Sequence, residues 1–462
     1  MSRATTWIES AGIPAVGIVC KGFAGTVRLI ARAEGLSSVR LVEYPPPNIA
    51  VHNSAEVYQC AIQLVDEVVA ALTKPLSGAP QETERSSGKN TYADIVFRGD
   101  LDQVNDFFRD KVWSDGLPVI PPSVEAVEAM LRFTDRKPDE VIGIMPPNRL
   151  AASVWKIAVN GVMAGCRPEY MPVLIAIAEA IAEPRFGIEH AGSTAGWTPL
   201  IILNGPIIKQ LGFNTGQGVL RPQTQANITV SRFLRLCIVN IAGYRLGETD
   251  MASFGRNYYP VLAEAEDESP WPPFSTDRGF ERGANVVTVQ SADTVSHSFL
   301  SIGDAKEHLR IIAHEVAREL GGSMLYPMEH FGGEVSPVIC LSPLVAGIIA
   351  KAGYSKSNVR QYLFQHARVP AREFDERLHR SQTGLNLTDS VRAGKLPAIF
   401  ALSDDPNRLV PVVHKAEEFF ILVSGSKDRN RNFIAAQFGD QGLNVSKEFT
   451  LPANWSRHFL QA

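Results

Sequence analysis

Cysteine is scarce: there are 5 among 462 residues, an odd number. Cys20, Cys60, Cys166, Cys237 and Cys340 form no CxxC pair and no zinc-ribbon spacing. A disulfide framework is therefore not expected, and a reduced cytoplasm is the natural setting. Long apolar runs are lacking too. Met171 to Ala182 is the longest near mid-chain, contains Glu179 and stops at Glu183-Pro184, too short to span a bilayer. Met1-Ser2-Arg3-Ala4-Thr5-Thr6-Trp7 has neither the n-region nor the apolar h-region of a secretion signal, and strand-like sequence follows it directly. No membrane partner is expected. Basic charge is not in excess either: 45 Lys and Arg stand against 49 Asp and Glu, a net charge of −4, with no long basic run. Nucleic acid is excluded as a partner on that ground.

Cofactor signatures are missing as well. The glycine-rich segment Asn214-Thr215-Gly216-Gln217-Gly218 is not followed by Gly-Lys-Ser/Thr, so it is no Walker loop, and it is no dinucleotide fingerprint. His314-Glu315 is followed by Arg318 where a zincin has its second histidine. The cofactor stays unknown: no nucleotide is indicated, and a metal is possible in principle but unsupported.

What is present is an ordinary globular composition, 45% apolar and 20% charged, long enough for two or three domains. Residues 13 to 72 read as strand, helix, strand, helix: Ile13–Val19, Phe23–Ala33, Ser38–Val42 and Ala55–Leu72. This is half of a doubly wound sheet. Lys74 to Tyr92, with Pro75, Gly78, Pro80, Ser86, Ser87 and Gly88 among charges, reads as a linker. The expected organisation is thus a small α/β domain at 1–73, a linker at 74–92 and a large α/β catalytic domain at 93–462. In the large part, helices are expected at Leu101–Lys111, from Ser123, at Ser153–Met163, Glu169–Ala182, Ala226–Cys237, Lys306–Leu320, Pro343–Ala352 and Lys356–His366. Strands are expected at Leu200–Leu203, Val286–Val289, Pro337–Leu341, Ala398–Ala401 and Glu418–Val423. Strands alternating with helices argue for the α/β class. No internal repeat stands out, the series 286–352 and 398–462 being at most distant echoes.

Several residues could carry chemistry. Cys166 follows Gly165, precedes Arg167-Pro168 and lies before a helix start; a helix N-terminus and an arginine both stabilise a thiolate. Glu169 and Tyr170 come next and are candidate acid or base. The alternative for Cys166 is a small apolar filler where two helices cross. The backbone of Asn214–Gly218 could cradle a carboxylate or phosphate, or simply form a tight turn. Asp115-Gly116-Leu117-Pro118 and Met145-Pro146-Pro147-Asn148-Arg149 are rigid polar loops of the kind that line active sites. Glu264, Glu266, Asp267 and Glu268 could hold a cation through oxygen ligands, or form a solvated face. His308, His314 and Glu329-His330 with Glu334 could converge, though each reads equally well as an ordinary histidine.

Taken together, Asp115 to Pro122, Ala158-Val159-Asn160-Gly161-Val162-Met163-Ala164-Gly165-Cys166-Arg167-Pro168-Glu169-Tyr170, Asn204-Gly205-Pro206, Asn214-Thr215-Gly216 and Asp250-Met251-Ala252-Ser253 resemble the large domain of the UGSC family of (seleno)proteins. Residues 9 to 72 resemble that family's small domain, which in turn is distantly similar to the selenoprotein subunits of glycine and proline reductases. In that family a UGSC motif with cysteine or selenocysteine precedes the strand matched by Ile13–Val19, whereas no cysteine precedes Cys20 in this sequence. A second departure is Leu344-Val345 after Ser342-Pro343, where Glu-His is expected. The resemblance implies a fold and a bias toward thiol chemistry. It also implies a separate small Cys-containing companion that completes the site, or a different chemistry.

The sequence thus leads to an enzyme acting on a small molecule by thiol-dependent, redox chemistry, as one subunit of a heteromeric complex or as a homo-oligomer. Cys166, Glu169 and Tyr170 are the expected catalytic residues; Asp115, Asn204, Asn214, Thr215, Gly216 and Gly218 are the expected substrate-binding ones. The alternatives are a lyase or transferase of carbon–sulfur or carbon–nitrogen bonds without net redox change, and a non-catalytic scaffold for a Cys-containing partner.

Overall fold

Glu9 takes an ion pair from Arg40 at 2.5 Å, with both side chains largely out of solvent, and this contact fixes the start of the chain. Its segment, Ser2–Ser10, is a helix (α1), where the sequence suggested a direct run into a strand. The structure, a computed structural model, describes residues 2–46, 51–75, 94–256, 258–321, 335–380, 386–437 and 442–456.

After α1 come β1 (Val16–Cys20), α2 (Ala24–Ala33), β2 (Arg40–Tyr44) and α3 (Ser54–Thr73). β1 and β2 pair in parallel, Val16 opposite Arg40 and Cys20 opposite Tyr44. Parallel strands need a crossover, which α2 provides. Ala24 and Val27 of α2 pack with Val19 on one face of the pair, and Leu64 of α3 packs with Val42 and Tyr44 on the other. Asn53 caps α3 in a reciprocal capping box with Glu56. Two strands cannot cover a 20-residue helix, so Tyr58, Ile62, Val65 and Val69 of α3 stay exposed, as do Ile13 and Ile18. Thr26 Oγ1 donates to the Glu248 carbonyl at 2.5 Å and Arg149 pairs with Glu34 at 3.0 Å, joining this module to the rest. The proposed linker lies outside the described residues, apart from Lys74 and Pro75.

The larger part is built on two sheets that share a four-strand pattern, the second carrying a short fifth strand, Phe299–Leu300, against Arg431-Asn432. In the first, β5 (Leu200–Asn204) is parallel to β6 (Val261–Ala263) and antiparallel to β7 (Val286–Gln290), which β15 (Val445–Glu448) flanks in antiparallel fashion. In the second, β10 (Val338–Leu341) is parallel to β13 (Phe420–Val423) and antiparallel to β14 (Arg431–Gln437), which β8 (Ala292–Val295) flanks. β8 follows β7 in sequence yet pairs with the second sheet, and β15 follows β14 yet pairs with the first. The sheets therefore exchange their fourth strands. This relates residues 200–290 to 338–437, a repeat that the sequence did not show.

Strand alternation assembles four layers. Leu200, Ile202 and Leu262 of the first sheet face Val338, Cys340, Phe420 and Leu422 of the second. Ile201, Leu203 and Val287 face the helices α6 (Val154–Ala164), α7 (Met171–Ala182) and α9 (Gln225–Cys237). Ile339, Leu341 and Ile421 face α11 (Ala305–Leu320) and its neighbours. Strands covered on both faces read as continuous apolar runs, which is why they were legible in the sequence.

Two expectations change. Ala398–Ala401 is a single 3-10 turn after Pro397, with only Phe400 buried. An antiparallel hairpin, β3 (Val141–Met145) and β4 (Leu150–Ser153), to which the sequence assigned no strands, flanks the expected loop at Met145–Arg149. No helix among the described residues is long and apolar enough to cross a membrane.

Candidate functional site

The principal cavity, about 670 Å³, lies on the outer side of α6. Trp155, Lys156, Val159, Asn160 and Met163 of α6 form its floor, with Val104 and Phe108 of α4 (Leu101–Asp110), Trp113 and Pro121-Pro122 as walls. The fourth wall is Asn240-Ile241, from a π-helical turn at Ile238–Ala242 that ends α9. A π-turn shifts the phase of the side chains that follow, and it closes here on Gly243, at φ 87°. Asn240 Nδ2 donates to the Trp113 carbonyl and to Asn160 Oδ1, each at 2.9 Å, while its Oδ1 has no hydrogen-bond partner among the described residues. Lys156 Nζ donates to the Ala151 carbonyl at 3.0 Å, and burial lowers its pKa. An apolar cavity with a few convergent polar groups is the usual form of a small-molecule site. Pro121-Pro122 and Val159-Asn160-Met163 come from two segments that stood out in the sequence. Trp113, Trp155, Lys156 and Asn240 did not, because they arrive from separate elements.

The residues expected to be catalytic sit one layer deeper. Cys166 lies after the C-terminal end of α6, closed by Gly165 at φ 80°, and belongs to the helical core. Burial pushes its thiol up to about 12, against a hydrogen bond from Thr229 and the charge of Arg232. The expected lowering of its pKa is thus reversed: the nearest helix end presents carbonyls, and Arg167 pairs with Glu169 instead. Glu169 is buried. Tyr170 is buried against Phe213, and burial pushes its phenol up to about 12.

Asp115 is held by Arg232 Nε at 3.1 Å and Nη2 at 2.9 Å, and by Arg235. Burial alone would raise its pKa; the Arg232 hydrogen bond and the two guanidinium charges outweigh it and hold the carboxyl below its ordinary value. Arg232 also donates to the Leu117 and Pro118 carbonyls, so Asp115 pins its own loop to α9. The Asn214–Gly218 segment is a turn: Asn214 Oδ1 accepts from Gly216 N at 2.9 Å, Asn214 N donates to Asn227 Oδ1, and Gly218 has φ 70°. The Thr215 carbonyl accepts from Gly425 N and Ser424 Oγ. Backbone that was expected to bind an anion is joined to the second sheet.

Asn204 marks a third place, the carboxyl end of the layer between the sheets. Its Nδ2 donates to Glu264 Oε2 at 2.5 Å and to Glu266 Oε1 at 2.9 Å, and its Oδ1 has no hydrogen-bond partner among the described residues. Glu264 is fully buried and accepts from Phe274 N at 2.7 Å. Burial pushes its carboxyl up to about 7; Lys356, Phe274 N and Asn204 oppose the rise, and Glu266 adds to it. Glu266 accepts from Gly205 N and Asp267 pairs with Lys209, so the acidic run is distributed among separate partners. His308 is buried on Ser301 Oγ at 2.7 Å, whereas Glu329, His330 and Glu334 lie outside the described residues. Among the described residues, no group of three or more His, Cys, Asp or Glu side chains is placed to hold a metal.

Fold and cavity define an α/β protein with a recess of small-molecule size. The N-terminal module is more particular: residues 2–74, the α1–β1–α2–β2–α3 unit, match the model of the UGSC family. No curated protein matches the chain.

Proposed function

We propose that the chain is an enzyme acting on a small, largely apolar molecule by thiol-dependent chemistry, with the substrate held in the cavity over α6. The cavity carries this reading: aromatic and aliphatic walls offer apolar contact, while Lys156 and the Asn160–Asn240 pair provide fixed polar contacts for orientation. The UGSC match of the small module supports the thiol bias. Because Cys166 is buried with a raised pKa, the reacting thiol comes from the small module or from a small Cys-containing companion. Exposed Ile13, Ile18 and the α3 stripe favour such a companion docking on the module.

The test is a thermal-shift screen of small carbonyl and sulfur compounds against the full chain, followed by turnover of any binder with and without N-ethylmaleimide. Binding should be lost in Val159→Trp, which fills the cavity, and turnover should be lost on thiol blocking. Turnover that survives blocking but disappears in Lys156→Met would replace the thiol reading with the lyase or transferase one, in which a desolvated lysine is the base. Co-expression with adjacent small reading frames and size-exclusion chromatography tests the companion; full activity of the chain by itself refutes it.

A further inference from the structure

Two cysteines of the small module lie outside the buried cores that hold the other three. Cys20 and Tyr44 end β1 and β2, opposite one another in the parallel register. Carboxyl ends of parallel strands are where α/β sheets place their reactive groups. α3 packs over the same face and brings Cys60 to this end; Cys20 and Cys60 both rest against the Val42, Tyr44 and Leu64 cluster. Tyr44 Oη lies 2.7 Å from His52 Nδ1, within hydrogen-bond distance, and Cys60 Sγ lies 3.6 Å from that same nitrogen. The Tyr44 and His52 rings meet edge to face, with centroids 5.8 Å apart, so the imidazole is held in place. Burial, then the hydrogen bond and charge of Cys60, push the Tyr44 phenol above its ordinary value, which keeps it neutral. Cys20, His52 and Cys60 are each half-buried, within reach of a small reagent. Cys166, Cys237 and Cys340 are buried.

We propose that Cys60 is a nucleophilic thiol, with His52 as its base and Tyr44 as the positioning group, and that it exchanges with low-molecular-weight disulfides. A nucleophile within hydrogen-bond reach of a base, itself oriented by a third group, is the arrangement such chemistry needs. The Cys60 proton passes to His52 Nδ1, whose N–H can then donate to Tyr44 Oη, and the thiolate attacks one sulfur of the disulfide. A new S–S bond forms as the old one breaks, and the departing thiolate takes the proton back from His52. Cys60 is oxidised to a mixed disulfide, and half of the disulfide is reduced to a free thiol. A second half-buried thiol in the same cluster, Cys20, suits a disulfide better than an alkylating substrate, because it can attack a mixed disulfide in turn.

This deepens the thiol reading above and rests on it only for a role in turnover. The full chain is incubated with cystamine at neutral pH, and the modified cysteines are mapped by mass spectrometry over time. Cysteamine should appear on Cys60 about tenfold faster than on Cys166, Cys237 or Cys340, and about tenfold slower in His52→Ala and His52→Gln. Tyr44→Phe should slow it by a smaller factor at unchanged circular dichroism. Modification of Cys20 with Cys60 spared, or an unchanged rate in both His52 variants, would overturn the proposal. If exchange proceeds as expected while turnover of a cavity ligand survives Cys60→Ser, the site stands and the thiol reading of the function falls.

Discussion

Glu264 offers the sharpest test of the reasoning, because its environment fixes both the sign and the size of an effect. Its carboxyl is fully buried at the carboxyl end of the layer between the sheets, and burial raises its pKa from 4.5 to about 7 in the folded protein. A carboxyl with a raised folded pKa binds its proton more tightly folded than unfolded. Its contribution is therefore most favourable below about pH 4.5 and is lost as pH rises toward 7, beyond which the folded state carries a buried charge. At 1.36 kcal/mol per pKa unit, the loss comes to about 3 kcal/mol. Lys356, whose charge opposes the rise, is itself engaged by Asp277 at 2.7 Å.

Glu264→Gln removes the titration and keeps the shape. The glutamine Oε1 can accept from Phe274 N as the carboxylate does. The same oxygen position also accepts from Asn204 Nδ2, so that contact is kept, and Nε2 takes the place of the carboxylate Oε1, which among the described residues meets only Val423 N at 3.4 Å. Urea unfolding of both proteins across closely spaced pH values should show equal stability near pH 5. Above about pH 8 the variant should be the more stable by about 3 kcal/mol. Infrared difference spectra between the two proteins should show a protonated carboxyl band at acid pH that vanishes on the alkaline side. A stability difference independent of pH, or a variant that is weaker in alkali, would refute the account of Glu264 as a buried acid.

Three further outcomes follow from other contacts. Asp115→Asn leaves Arg232 and Arg235 facing each other without their carboxylate and should cost about 3–5 kcal/mol in chemical unfolding; because the Asp115 pKa is depressed, the wild-type advantage should fade as pH drops through its folded value. Gly243→Ala places a Cβ at φ 87° against the Asn148 side chain, and should lower stability by about 1–3 kcal/mol and loosen the π-turn beside the cavity. Thiol titration of the native chain should count no more than 2 reactive groups, Cys20 and Cys60, and all 5 cysteines after unfolding under non-reducing conditions; a shortfall after unfolding would reveal a disulfide, and a third fast thiol would show that Cys166 is reachable.

Most elements were legible in the sequence because each carries its own periodic or continuous apolar signal. Leu200–Asn204 and Val338–Leu341 are buried on both faces and read as strands; Ala305–Leu320 alternates as an amphipathic helix and opens with an Asp304–Glu307 capping box. Ala398–Ala401 is equally apolar, yet Pro397 holds φ at −61° and starts a turn, and a run of four residues with a single β-branched member, Ile399, is too short to tell a strand from a turn. The candidate site was only half legible. Asn160 and Pro121-Pro122 stood out as parts of unusual segments, whereas Asn240 faces the cavity only because a π-turn resets the phase of its helix. Cys166 shows the limit of local reading: its sequence neighbours, Gly165 and Arg167, suggested an activated thiol. Which end of which helix lies beside it, and where the Arg167 side chain goes, are set by tertiary packing.

The repeat stayed hidden for a related reason. Matching the parallel pairs by register makes Leu203 equivalent to Leu341 and Ala263 to Val423, and the backbone agrees: Glu264 N donates to the Leu203 carbonyl as Ser424 N donates to that of Leu341, both at 3.0 Å. The next positions along the strands, Asn204 with Ser342 and Glu264 with Ser424, all fall on the inter-sheet side by alternation, and all four are buried. They share no chemical type, so no sequence period reveals them. Their differences have a physical logic. Two carboxyls in one dry layer could not both ionise, and only one is present. Ser424 Oγ, the counterpart of that carboxyl, lies 2.8 Å from the Ala263 carbonyl and 3.1 Å from that of Thr215, stitching one sheet to the other. The symmetric half therefore supplies a neutral clamp, and the polarity of the seam gathers at Asn204 and Glu264, the pair whose balance of proton and hydrogen bond the pH experiment reads.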